Sequence, residues 1–339
     1  MKVDAAVPLE APADIREVAE RAERAGYAGL WATEVKHDPF VALALASTVT
    51  EHIEIGTAIA LAFARNPMSL AVQANDLHQL SGGRLLLGLG SQVRAHITRR
   101  FSLPWSHPAP RMREYVLALR AIWDCWNTGT KLNFRGDFFS HTLMTPFFDP
   151  GPNPFGPPAV LLAGVGRGMT TIAGEVADGF LGHGFTTERY LREVTIPALA
   201  EGRKRAGSTL DGFEVVGSPL VATGRTEEQL AAAKLGVQGQ IAFYGSTPAY
   251  RTVLELHGWA ALADDLHMLS RTGRWDEMPA LIDDDVLNTF AVVAEPSTVA
   301  AELLRRYEDV MTRMTLYTPY AIDAGLLAEI AAGVRAGTA

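Results

Sequence analysis

A single cysteine, Cys125, stands in 339 residues, which excludes any intramolecular disulfide. It lies between Trp123 and Trp126 in a helical pattern, the place of a buried thiol rather than a nucleophile. No apolar run approaches the roughly 18 residues of a membrane span, and no charged leader precedes an apolar core at Met1, so a cytoplasmic location without membrane contact is expected. Basic residues are outnumbered, 30 against 38 acidic, for a formal net charge of −8. The chain lacks the basic patch that nucleic acid or an anionic lipid surface demands. It has no HExxH, and its first strand ends Ala5-Ala6-Val7-Pro8 without paired histidines, so no metal site is expected. The run Asp283-Asp284-Asp285 is read as a solvated turn. An anionic ligand must then be held by local N–H groups and a few cations, because overall charge is screened beyond about 8 Å at physiological salt.

What is present is a glycine-rich turn. From Leu161 the sequence runs LLAGVGRGMTTIAGEVADGFLG, an apolar strand entering Gly164, Gly166 and Gly168 before a short helix. Glycines let backbone approach an anion, and the first N–H groups of the helix point at it with the positive end of the helix dipole behind them. The dinucleotide fingerprint is excluded. The glycines are spaced GxGxG rather than GxGxxG, and the next strand ends Leu181-Gly182-His183-Gly184-Phe185, without the carboxylate that would hold a ribose hydroxyl. Tight packing of strand against helix remains the alternative reason for these glycines.

Strand-like and helical segments alternate from the first residue. Strands are predicted at 3–7, 30–33, 53–60, 85–87, 160–163, 179–183, 213–222 and 314–317. Between them, Ile15, Val18, Ala19 and Ala22 keep helical spacing up to Gly26, Asn66-Pro67 open a helix, and Tyr115, Leu119, Ile122 and Trp126 share one face of another. Six prolines between Pro146 and Pro158 bar helix and central strand there, and a mostly helical stretch is predicted over 227–308. Eight strand-helix units in a chain without repeat, composition break or low-complexity linker predict one (β/α)8 TIM barrel domain over 1–339, with insertions near 91–110, 128–158 and 236–290. In that fold the chemistry sits on loops after the carboxyl ends of strands. His37, His96 and His183 fall at such ends, whereas His52, His257 and His267 fall in helical segments.

Three motifs in order carry a resemblance: Gly26-Tyr27-Ala28-Gly29-Leu30-Trp31; Ser81-Gly82-Gly83-Arg84-Leu85-Leu86-Leu87-Gly88-Leu89-Gly90; and the glycine loop closed by Ala177-Asp178-Gly179. Over nearly the whole chain, from Met1 to about Pro319, the sequence resembles the luciferase-like monooxygenase superfamily, in the branch that uses the deazaflavin coenzyme F420. The resemblance implies a luciferase-like barrel in which the deazaflavin phosphate lies on Ala163, Gly164, Val165, Gly166, Arg167 and Gly168. Its ring would stack over the third strand at Thr57, Ala58 and Ile59, where relatives bulge, often through a cis peptide, with Gln92 nearby. It also implies a homodimer.

The activity implied is hydride transfer between deazaflavin and a small, moderately apolar substrate, which needs a proton donor or acceptor near the ring. Glu34 takes the place of the ring-contacting acid, and His37 and His96 are the candidate proton-transfer residues. The usual histidine directly after strand two and the usual glutamate after strand four are both missing. Arg167 stands where relatives commonly carry proline and offers a charge-assisted bond to phosphate. Aromatic segments, Trp105 to His107 and Phe134 to Phe139 with Tyr244, Tyr250 and Trp259, are candidates for a lid. Two alternatives stay open: an FMN-dependent monooxygenase, and a cofactor-binding barrel that has lost its chemistry.

Overall fold

In a computed structural model of the chain, residues 1–8 and 14–337 are described. Eight parallel strands form the barrel: β1 (Lys2–Ala6), β2 (Gly29–Ala32), β3 (Glu54–Thr57), β4 (Leu85–Gly90), β5 (Ala159–Gly164), β6 (Gly179–Gly182), β7 (Glu214–Gly217) and β8 (Arg313–Thr315). A ninth, short strand, Ala60–Leu61, resumes the predicted 53–60 strand after a break and pairs with the end of β4. The eight pair in the order β3-β2-β1-β8-β7-β6-β5-β4, and β3 also pairs with β4. That last pairing closes the sheet into a (β/α)8 barrel.

Local chemistry explains the helices around it. Helix α1 (Ile15–Arg24) buries Ile15, Ala19 and Ala22. Asp38 accepts from the N–H groups of Phe40 and Val41 and opens α2 (Pro39–Ser47). Asn66 does the same for Met68 at the start of α3 (Pro67–Leu80), each cap being followed by proline at the first helical position. Helix α4 (Pro108–Thr128) buries Tyr115, Leu119, Ile122 and Trp126 and ends at Gly129, whose φ of 69° only glycine adopts easily. Helix α5 (Arg167–Val176) packs on α6 (Ile196–Arg205). Gly174 and Gly202 permit that approach, because a Cβ on either would lie within about 2.2 Å of the facing backbone.

Two departures from the sequence reading have a common cause. The predicted strand over 213–222 is two strands. After β7 the chain turns at Ser218-Pro219, and Leu220–Ala222 pairs with Ala291–Val293 in a separate two-stranded sheet. Proline cannot donate to a ladder, so the barrel strand stops before it. The partner strand interrupts the stretch read as helical, between α7 (Glu227–Gly245), α8 (Ala260–Arg271) and α9 (Pro296–Tyr307). The proline-rich segment carries only the short hairpin Phe134–Arg135 with Ser140–His141 before it, and no helix or strand from 142 to 158.

The barrel interior is layered. At the amino-terminal end, the fully buried Arg313 guanidinium reaches Asp4 (2.7 and 2.9 Å), Glu54 (2.8 Å) and Glu214 (3.0 Å), and Trp31 Nε1 donates to Asp4 at 2.8 Å. Above it Trp31, Leu161, Leu181 and Val216 fill the lumen, and Ala58, Ile59 and Ala163 pack on this cluster. Gly56 makes room for the indole of Trp31, since a Cβ there would lie 2.3 Å from the ring. The wide end of the barrel is therefore floored by small side chains.

Candidate active site

At the carboxyl end of the barrel, Thr57 is fully buried and its hydroxyl donates to Gly88 O at 2.6 Å, tying β3 to β4. Beyond it the peptide bond between Ala58 and Ile59 is cis, and both residues keep partly exposed surface above the lumen. Gly90 lies opposite: a Cβ there would lie 2.0 Å from Ile59 Cδ1, so the end of that side chain would have to move.

Glu34 is committed to this bulge. Its backbone N–H donates to Ile59 O at 3.3 Å. Its Oε2 accepts from Leu61 N at 2.8 Å and from Arg65 Nη1 at 2.6 Å. Arg65 in turn reaches Asp38 Oδ2 at 3.0 Å and lies over the Phe40 ring. The carboxylate is thus a brace between the ends of β2 and β3, with both of its bonds made through Oε2.

The two candidate proton-transfer histidines lie apart from it. His37 is exposed and lines a cavity of about 210 Å³ between the ends of β1 and β2 and helices α1 and α2, bounded by Val7, Ala32, Ala42 and Leu45. His96 is exposed at the start of the turn His96–Arg100, anchored by buried Ile97. Among the described residues no hydrogen bond or ion pair joins either ring to Glu34. Gln92, in the segment after β4, has a left-handed φ of 59°, and its Oε1 accepts from Val93 N at 2.8 Å. Such a backbone costs about 1–3 kcal/mol in a residue other than glycine, and these positions cluster at ligand clamps.

The glycine loop follows β5. Gly166 is the N-cap of α5 and brings no side-chain cap, so the N–H groups of Arg167, Gly168 and Met169 open the helix without intrahelical partners. Around Gly166 and Gly168 a Cβ would meet nothing within 4 Å, and neither has positive φ. Packing therefore accounts for Gly164, which faces Met169 at 3.1 Å, but not for the other two. The Arg167 side chain turns away from the loop to Glu201 at 2.8 Å and is largely exposed.

A third strand-end histidine, named beside His37 and His96 from the sequence, lies at the mouth. His183, after β6, accepts from Phe185 N through Nδ1 at 3.0 Å, and its ring lies 4.6 Å from those of both Tyr244 and Tyr250. Burial pushes its pKa down to about 4. Tyr244 and Tyr317 share a hydrogen bond between hydroxyls at 3.0 Å. Its strand-end position was legible, but the aromatic walls arrive from more than 60 residues later in sequence, where no periodicity links them to β6. Of the other aromatics considered for a lid, Trp105 packs edge-on against Phe63, and Trp259 stacks on His257.

A family model for luciferase-like monooxygenase matches residues 2–313. An uncharacterized protein of Mycobacterium tuberculosis is 51% identical over 314 residues, covering 93% of this chain and 92% of the relative. A 5,10-methylenetetrahydromethanopterin reductase of Methanolobus tindarius is 26% identical over 318 residues, covering 92% of each. Among solved structures, the coenzyme F420 dependent tetrahydromethanopterin reductase of Methanopyrus kandleri superposes with a TM-score of 0.82 at 20% identity, covering 99% of both chains, and so shares the fold. This chain belongs to the luciferase-like monooxygenase family. As a member it is an oxidoreductase.

Proposed function

We propose that the chain is a coenzyme F420-dependent oxidoreductase acting on a small organic substrate. The observation that carries the reading is the pair Gly166 and Gly168, left bare by the fold at an uncapped helix start, where backbone N–H groups suit a phosphate. The same F420 dependence in a protein of the same fold supports the choice of cofactor.

In this reading the N–H groups of the loop from Gly164 to Gly168 hold the phosphate, while Arg167 serves through its backbone because its side chain is engaged by Glu201. Ala58, Ile59 and Ala163 form the surface on which a flat ring rests. Glu34 holds that surface in place through Leu61 N and Arg65, and Gln92 fixes the turn across the mouth. When bound, the deazaflavin supplies or accepts a hydride at a substrate carbon.

The test is titration of the purified protein with oxidised F420 and, separately, FMN, followed by absorbance and fluorescence. Saturable binding of F420, weakened in Gly166→Ala and Gly168→Ala, is the expected result. Tight binding of FMN with none of F420 would overturn it in favour of a flavin monooxygenase.

A further inference from the structure

The groups around His183 make a second recognition element that the cofactor reading does not use. In a neutral imidazole one ring nitrogen is a donor and the other an acceptor. Nδ1 accepts from Phe185 N–H, so Nε2 carries the proton. Among the described residues no group accepts from Nε2. His183 Nε2 is not among the sealed, unpartnered side-chain atoms, which include His78 Nδ1 and His141 Nε2, so it keeps some accessible surface although the ring is mostly buried. Beside it, the Tyr244 and Tyr317 hydroxyls use one proton for their mutual bond and keep the other free to donate.

The surroundings are aromatic and uncharged. Tyr250 and Tyr244 flank the imidazole, and Phe185 lies 6.2 Å from Tyr244 and 6.0 Å from Tyr250. Burial raises the pKa of Tyr244 and Tyr317, and pushes that of Tyr250 up to about 12, so all three stay protonated. A path of rings leads outward: Phe243 lies 5.6 Å from Tyr244 and 6.1 Å from Trp275, and both Phe243 and Trp275 are half exposed. Exposed apolar rings next to unpaired donors are the chemistry that suits an apolar molecule carrying an acceptor.

We propose that His183, as its neutral Nε2–H tautomer, and the Tyr244–Tyr317 hydroxyl pair bind the oxygen of an uncharged apolar carbonyl compound, which enters along Trp275 and Phe243. His183 acts here as a binding and positioning residue. The proposal rests on the deazaflavin reading only for the identity of what binds beside this subsite, at Val165 and the loop, to which Tyr190 is tied through Val165 O at 3.2 Å.

The experiment uses cyclohexanone as the probe, methylenecyclohexane as the same shape without an acceptor, and cyclohexylammonium as a charged comparison. Binding to the full chain is followed by the His183 ring nitrogen resonances and tryptophan fluorescence, with F420 titrated in parallel. Cyclohexanone should bind about five- to tenfold more tightly than methylenecyclohexane, the value of one neutral hydrogen bond, and should shift Nε2. In His183→Phe that preference should fall to about two- to threefold, the share left to the tyrosine hydroxyl, while F420 binding is unchanged. His183→Gln, which restores a donor, should recover part of it and serves if the phenylalanine variant fails to fold. Equal binding of the two probes by the wild type, no binding of cyclohexanone, tighter binding of the ammonium, or an undiminished preference in a folded variant would each overturn the proposal. If F420 does not bind but the preference is present and reduced in His183→Phe, the subsite stands and the cofactor reading falls.

Discussion

Glu34 Oε2 lies 2.6 Å from Arg65 Nη1, and the same oxygen accepts from Leu61 N, so one carboxylate fixes both the side chain and the backbone that follow β3. Both side chains are mostly buried, 12% and 16% exposed. A substitution at Glu34 should therefore be felt through the shape of the ring-bearing surface. Glu34→Gln keeps an acceptor for Leu61 N and removes the charge facing Arg65. It should lower stability by about 1–3 kcal/mol in urea titration and weaken F420 binding. Intact stability and affinity with lost turnover would show instead that the carboxylate acts on the reacting atoms.

Gly166→Ala and Gly168→Ala separate binding from folding. Neither position is crowded or left-handed, so the melting temperature should hold, and at Gly168, inside the first turn of α5, rise slightly, since alanine is favoured over glycine in helices by about 0.5–1 kcal/mol. F420 affinity should fall about tenfold or more, a methyl group now occupying the anion's place. Gly88→Ala is the contrast. Its Cβ would lie 1.8 Å from Thr57 O, and the variant should fail to fold.

The barrel was legible because its signals are local: strand runs, proline after Asn66, and glycine at Gly26. The strand over 213–222 was misjudged where one proline overruled a continuous apolar pattern. Side-chain partners were the harder problem. Glu34 was placed at the right strand end, but Arg65 lies 31 positions away and nothing in the pattern announces the pair. Arg167 stands where relatives commonly carry proline, which suggested a charge-assisted bond to phosphate, and nothing in that pattern announces its pair with Glu201, 34 positions later. His183 was legible as a strand-end histidine, but its tautomer depends on Phe185 N–H and its walls on Tyr244 and Tyr250, all products of the folded chain.

Acid should destabilise the protein through His183. Its folded pKa of about 4 lies below the ordinary imidazole value of about 6.5, so on acidification the unfolded chain takes up a proton first. The contribution is fully present above pH 6.5 and is lost as pH falls from 6.5 to 4, by an amount on the order of 3 kcal/mol. Burial also lowers the pKa of His78, His141 and His257, which adds to the same slope. Calorimetric melting between pH 7.5 and 4.5 should show a shallower decline for His183→Phe than for the wild type. Parallel curves would mean that this ring is not desolvated.

Asp4→Asn should be the most damaging of the conservative changes. Arg313 would keep Glu54 and Glu214, but the bidentate partner in its fully buried setting would be neutral, and breaking such a pair costs about 3–5 kcal/mol. Urea unfolding measures the loss. Glu277→Gln, at an exposed pair with Arg274, should leave the midpoint unchanged.

Asp4 and Arg313 are also 309 positions apart. During synthesis Asp4 emerges long before its counter-charge exists, and until β8 is made β1 has only β2 beside it. The closed ring is therefore a late event on the ribosome: a nascent chain stalled ahead of residue 313 holds an open sheet with an acidic gap at its seam, a form for chaperones to recognise and proteases to remove.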